Sequence, residues 1–179
     1  MHVIMILVAA MMALAATDAA AAPRRIEFGP PTSEVAFRGY GMGVMPIDGR
    51  FTHFDGRLIY DPDDHARCQV VLDVDVASLV TEDPSMRTTV VGSDFLDAAR
   101  FPSMTYQGAC DARGLGGRLG MHGVTNAFEL SLTWSGDEVV AEGRLLRADW
   151  GMTAMPLLGG RTVRIRVSVR LPAPGAGVN

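Results

Sequence analysis

Val163-Arg164-Ile165-Arg166-Val167-Ser168-Val169-Arg170-Leu171 alternates apolar and polar residues from end to end. Successive side chains of an extended chain point to opposite faces, so this stretch reads as a strand with one dry and one wet face. Its Arg164, Arg166 and Arg170 share the wet face. The same period of two runs through Val70, Leu72, Val74 and Val76, interleaved with Val71, Asp73 and Asp75, and through Phe128, Leu130, Leu132 and Trp134.

Weaker alternation predicts strands at Val35 with Phe37, Leu58 with Tyr60, Met104 with Tyr106, Leu119 with Met121, and Val139 through Leu146, giving about eight strands in all. Turn residues punctuate them: Asp48-Gly49, Asp55-Gly56, Asp61-Pro62-Asp63-Asp64, Arg113-Gly114 and Ser135-Gly136-Asp137. One helix is expected from Asp83-Pro84 to Val91, with Asp83 as cap and Pro84 in the first turn, and Asp94 to Ala98 adds a short helical turn. Many strands with one helix mean an all-β domain. Alternation fits a closed barrel and a two-sheet sandwich equally well.

The chain has 179 residues, with 20 Asp and Glu against 16 basic residues, all arginine, for a net charge of −4. Scattered arginines on an acidic chain without a stacking aromatic stripe argue against a nucleic-acid partner. Val3 to Ala16 is an apolar run rich in Ala and Met, followed by Ala19 to Ala22 and Pro23, which reads as a secretory signal with a small-residue cleavage site. The expected organisation is a signal peptide over 1–22 and a single domain over 23–179, exported to an oxidising compartment. In that compartment Cys68 and Cys110 are either a disulfide or two buried thiols.

Catalytic signatures are missing from the sequence. There is no Gly-x-Ser-x-Gly elbow, no recognisable triad and no paired-carboxylate pattern, and His53, His65 and His122 lack metal-ligand spacing. The reading is a protein that is not an enzyme, without metal or cofactor. Of 11 methionines, Met42, Met45, Met152 and Met155 fall in loop-like segments, where unbranched thioethers suit irregular apolar partners.

Several local motifs together resemble the YceI family of bacterial periplasmic proteins. Ile47-Asp48-Gly49-Arg50-Phe51-Thr52-His53-Phe54-Asp55-Gly56 is similar to the family's G-R-F-x-x-F-x-G segment, and Tyr60-Asp61-Pro62 follows it. Ser93-Asp94-Phe95-Leu96-Asp97 leading to Phe101-Pro102, Met121-His122-Gly123-Val124-Thr125, and Arg147-Ala148-Asp149-Trp150-Gly151-Met152 match further family blocks, as does Asp73 through Leu79. Gly41-Met42-Gly43-Val44-Met45 departs from the family's H-L-G-x-S, and Met86-Arg87-Thr88-Thr89 keeps only the arginine of another block.

The resemblance implies an eight-stranded antiparallel up-and-down barrel, lipocalin-like, holding an isoprenoid lipid such as a quinone or polyprenyl phosphate for transport or storage. The interior set is then Phe37, Tyr60, Leu72, Val74, Met104, Tyr106, Leu119, Met121, Phe128, Leu130, Leu132, Trp134, Ile165 and Val167, with Arg87, Phe95, His122, Arg147 and Trp150 at the mouth. Other readings are a non-catalytic scaffold for a membrane redox protein and an enzyme acting on a quinone or prenyl substrate. Pairing with a second copy of the chain also stays open.

Overall fold

The computed structural model describes residues 22–42, 44–154 and 160–172; all but the last residue of the expected signal segment, and Met155, lie outside them. The strands are β1 (Arg24–Phe28), β2 (Ser33–Gly41), β3 (Met45–Phe51), β4 (Phe54–Tyr60), β5 (Cys68–Asp75) and β6 (Leu79–Thr81). After helix α1 (Pro84–Val91) come β7 (Ser103–Asp111), β8 (Gly114–Met121), β9 (Val124–Ser135), β10 (Glu138–Leu146) and β11 (Thr162–Arg170).

Among the described residues these form one antiparallel 11-stranded sheet in the order β1-β4-β5-β7-β8-β9-β10-β11-β2-β3-β6. The fold is all-β with a single short helix and a curled sheet. The expected count of eight omits β1, β3 and β6. Each omission has a local cause: β1 offers only Ile26 and Phe28 to the core, and β6 is three residues long. In β3 a glycine stands where the alternation calls for an apolar residue.

That glycine also explains two misread turns. Asp48-Gly49 and Asp55-Gly56 carry hairpin chemistry, yet both lie inside strands. The Phe37 ring occupies the space above Gly49, where a Cβ would come within 2.5 Å of it, and the Phe28 ring covers Gly56 in the same way. Aromatic rings from neighbouring strands fill the missing side-chain volume, so these glycines are packing sites and not bends.

Two features curl the sheet upon itself. β9 pairs with β8 through Leu130 and with β10 from Ser131 onward, so one long strand passes from one half of the sheet to the other. On the opposite side β3 and β4 are separated only by Thr52 and His53, which turns a sharp corner between the two halves. Ser78 pins that corner: Thr52 Oγ1 donates to the Ser78 carbonyl at 3.0 Å, and Ser78 Oγ accepts from the His53 amide at 3.1 Å. A 3-10 turn at Val76–Ser78, capped by the Asp75 carboxylate on the Ala77 amide at 2.8 Å, presents that serine. Val76, read as the end of a strand, belongs to this turn.

Helix α1 occupies the predicted span, with the Asp83 carboxylate accepting from the Ser85 amide at 2.8 Å. The segment from Asp94 to Ala98 is not helical. It forms a chain of turns in which Asp97 takes a φ of 47° and its amide donates to the Gly92 carbonyl at 2.9 Å.

Candidate ligand-binding cavity

Inward-pointing side chains leave two adjoining spaces inside the curled sheet. The larger, about 610 Å³, opens between the β2–β3 hairpin, α1 and the turns after it; its lining includes Tyr40, Met42, Met45, Ile47, Met86, Val90, Phe95, Leu96, Leu145, Arg147, Met152 and Val163. A narrower space of about 100 Å³ continues inward, bounded by Leu72, Val74, Tyr106, Leu119, Phe128, Leu130, Leu132, Trp134 and Val167. Phe37, Phe51, Met104, Met121 and Ile165 border both, forming a neck between them. The larger space falls within the usual 300–1,000 Å³ of small-molecule pockets.

The end of the sheet away from this mouth is held by a cross-link and stacked rings. Cys68 and Cys110 form a disulfide between neighbouring strands β5 and β7, with Cα atoms 4.8 Å apart. Trp134 packs on Tyr60 at 5.5 Å, and the His65 ring stacks on its exposed side at 4.0 Å. Midway along, the Tyr106 hydroxyl lies 3.2 Å from both the Leu115 and Phe128 carbonyls, where its single proton serves one at a time. Burial, with Glu129 as a lesser cause, pushes its pKa up to about 12.

Of the interior residues expected from sequence, all line one space or the other except Tyr60, which is buried behind Trp134. The five mouth residues divide. Phe95 and Arg147 reach the larger cavity, and the Arg147 guanidinium lies 4.9 Å from the centre of the Phe95 ring. Arg147 is only 7% exposed and donates to the carbonyls of Gly160 at 2.7 Å and Met152 at 3.3 Å. Burial lowers its pKa from the usual arginine value.

Arg87, His122 and Trp150 do not line either space. Arg87 donates to the carbonyls of Leu79 at 2.8 Å and Ala77 at 2.7 Å, fastening α1 to β6 and to the 3-10 turn before it. His122 sits in the β8–β9 turn at φ 50°, its Nδ1 3.0 Å from the Trp150 carbonyl and its ring against Phe101. Trp150 donates from Nε1 to the Leu119 carbonyl at 3.0 Å and stands edge-on to Phe128. All three find their hydrogen-bond partners in the backbone, so they shape the cavity's surroundings and leave its wall to apolar neighbours.

The sequence reading missed Ile47, Phe51, Met86, Val90, Leu96, Leu145 and Val163. Ile47 and Phe51 sit at alternate positions of β3 on either side of Gly49, a signal that the glycine interrupted. Met86 and Val90 are four apart on α1 and share the helix face toward the cavity.

A family model described as YceI-like domain matches residues 27–171. A UPF0312 protein of Vibrio cholerae is 32% identical over 75 residues, 42% of this chain and 40% of the relative, so the chain spans well under half of that protein's length. A UPF0312 protein of Pseudomonas putida is 27% identical over 130 residues, 69% of this chain and 68% of the relative. Among solved structures, Burkholderia cenocepacia BcnA superposes with a TM-score of 0.64 at 21% identity, over 76% of this chain and 94% of that one. A polyisoprenoid binding domain from Saccharophagus degradans, implicated in plant cell wall breakdown, gives 0.56 at 16% identity over 78% and 94% of the two chains. Campylobacter jejuni YCEI protein gives 0.55 at 18% over 69% and 84%. At these identities the structures share the fold.

Proposed function

The chain belongs to the YceI-like family, and from that premise we propose that it carries or stores one isoprenoid lipid, its tail drawn through the mouth cavity and past the neck. The observation that carries this reading is the largely apolar lining of two adjoining spaces, from Met42 at the rim to Trp134 at the far end. The description of the Saccharophagus degradans domain as polyisoprenoid binding favours the same class of cargo. In this reading the bent β3–β4 stretch counts as one strand, β1 and β6 are outer additions, and the remaining strands make up an eight-stranded enclosure. An eight-stranded enclosure holds one slender ligand.

The tail supplies the affinity in this proposal. Burying an isoprene unit of five carbons gains roughly 4 kcal/mol gross at about 0.8 kcal/mol per carbon group, before ordering and association costs. The headgroup stays at the mouth, where Arg147 on the wall favours a polar or anionic group. The location consistent with this cargo is the periplasm, with the segment over 1–22 directing export.

Titration with quinones bearing successively longer prenyl tails, read by tryptophan fluorescence, tests the proposal, since Trp134 borders the inner space. Affinity is expected to rise by at least about tenfold per added unit until the cavity is full, the net left after those costs. Affinity that ignores tail length, or no binding at all, would overturn it.

A further inference from the structure

The rim of the cavity is unlike the rest of the surface. Met42, Val44 and Met45, on the β2–β3 hairpin, are 62%, 78% and 56% exposed, and Leu146, at the nearby end of β10, is 50% exposed. Met42 holds a left-handed φ of 46°, a conformation that favours glycine or asparagine. Neither the turn geometry nor core packing accounts for methionine and valine at this tip. Outliers of this kind cluster where a segment has a task.

A second observation lies on the same strands. Arg144 of β10, Arg164 of β11 and Arg38 of β2 stand in one cross-strand row on the outer face, Arg144 directly opposite Arg164 and Arg164 directly opposite Arg38. Directly opposed like charges destabilise a sheet. Asp48 neutralises Arg38 at 2.6 Å, while neither Arg144 nor Arg164 forms an ion pair among the described residues. Arg50 and Arg166 join them along a shallow outer groove, on a chain whose net charge is −4. Glu34, Asp48, Glu82 and Glu142 line the same groove; Asp48 pairs with Arg38 and Glu142 with Arg166, which leaves Arg50, Arg144 and Arg164 without an ion pair among the described residues.

We infer that the β2–β3 hairpin and the arginine row dock the mouth of the cavity onto an anionic phospholipid bilayer. Met42 lies four steps along the chain from Arg38, about 13 Å at roughly 3.3 Å per residue. Strand tilt brings the vertical distance toward the 5 to 10 Å over which interfacial elements reach the acyl boundary. With the apolar tip at that boundary, the arginines lie at phosphate level, where the opposed pair gains the counter-charge it lacks. Four apolar side chains make too small a patch for a stable protein interface, which needs about 800 Å² per partner. This inference rests on the lipid-carrier reading, because docking here opens the cavity toward the membrane that supplies a water-insoluble cargo.

Flotation of the full chain with phosphatidylcholine vesicles, and with vesicles containing phosphatidylglycerol as well, tests it. Val44→Asp, at an exposed position that does not line the cavity, and the double variant Arg144→Gln, Arg164→Gln carry the same N-terminal segment as the wild type, so differences report the rim alone. The wild type is expected to bind the anionic vesicles, less tightly as salt rises. Val44→Asp is expected to weaken binding about tenfold, and the double variant about fivefold per arginine with loss of the phosphatidylglycerol preference. Uptake of a prenyl quinone in vesicle-free solution stays at the wild-type level in both. Equal vesicle binding by wild type and both variants would overturn the inference, as would a wild type that takes up quinone but ignores vesicles. Vesicle binding that follows the predicted order without any quinone uptake would leave docking standing and remove the carrier reading.

Discussion

The two ends of the curled sheet solve opposite problems with different residues. At the far end a disulfide and a Tyr60–Trp134–His65 stack tie neighbouring strands together, and midway along a buried tyrosine hydroxyl meets backbone carbonyls. At the open end Met42, Met45, Met86 and Met152 surround a cavity, and hydrogen bonds from Arg87 and Arg147 to backbone carbonyls hold the wall together. Flexible thioethers accept irregular partners, whereas a cross-link and stacked rings do not. Stability is concentrated away from the place where the ligand enters, so the two can be perturbed separately.

Removing the disulfide with Cys68→Ser and Cys110→Ser is the largest intervention. The bridge spans a separation of 42 residues, and its loss is expected to cost roughly 4 kcal/mol in chemical denaturation. Cargo bound per folded molecule, measured by organic extraction, stays unchanged; a parallel loss of cargo would erase the distinction between the ends.

Tyr106 gives the next effect, and it depends on pH. Its pKa is raised to about 12 in the folded protein from an unfolded value of 10.0, so the folded state holds the proton more tightly. The associated stability is complete below pH 10 and is lost as pH rises through 12, by roughly 2 kcal/mol over that window. Denaturation of wild type and Tyr106→Phe across this range checks it: the variant is expected to be less stable by about 1 kcal/mol at neutral pH and to lack that extra loss.

At the neck, Ile165→Trp fills the passage between the two spaces. A cost of about 1 to 3 kcal/mol in stability is expected from overpacking, with prenyl-quinone affinity falling by at least about tenfold in the same fluorescence titration. The effect on binding is large where the effect on folding is modest, the reverse of the disulfide variant. Smallest of all, Arg87→Met removes two hydrogen bonds that fasten α1 to β6 and the 3-10 turn before it. Stopped-flow exchange of bound quinone is expected to quicken by about fivefold, while stability drops by about 1 to 2 kcal/mol.

Much of the inner wall was legible because strand periodicity is a local signal. Leu72, Val74, Phe128, Leu130, Leu132, Ile165 and Val167 follow from alternation alone, and the same alternation puts Arg164 and Arg166 outside. The mouth was much less legible. Its wall is assembled from a short helix, turns and a glycine-interrupted strand, so Ile47, Met86, Leu96 and Met152 meet only through the tertiary fold. Polar side chains misled for a related reason: Arg87, His122 and Trp150 stand in family-like motifs, but their partners are backbone carbonyls several elements away. The curl of the sheet was equally out of reach of pattern, because it depends on one corner at Thr52 and His53 and on Ser78 beneath it.

Native mass spectrometry of three proteins purified in parallel from bacterial cells, the wild type, the Cys68→Ser, Cys110→Ser variant and Ile165→Trp, tests the central claim most directly. The account predicts one bound isoprenoid mass on the wild type and on the disulfide-free protein, and none on Ile165→Trp. A wild type free of lipid, or an Ile165→Trp protein that keeps it, would contradict the account.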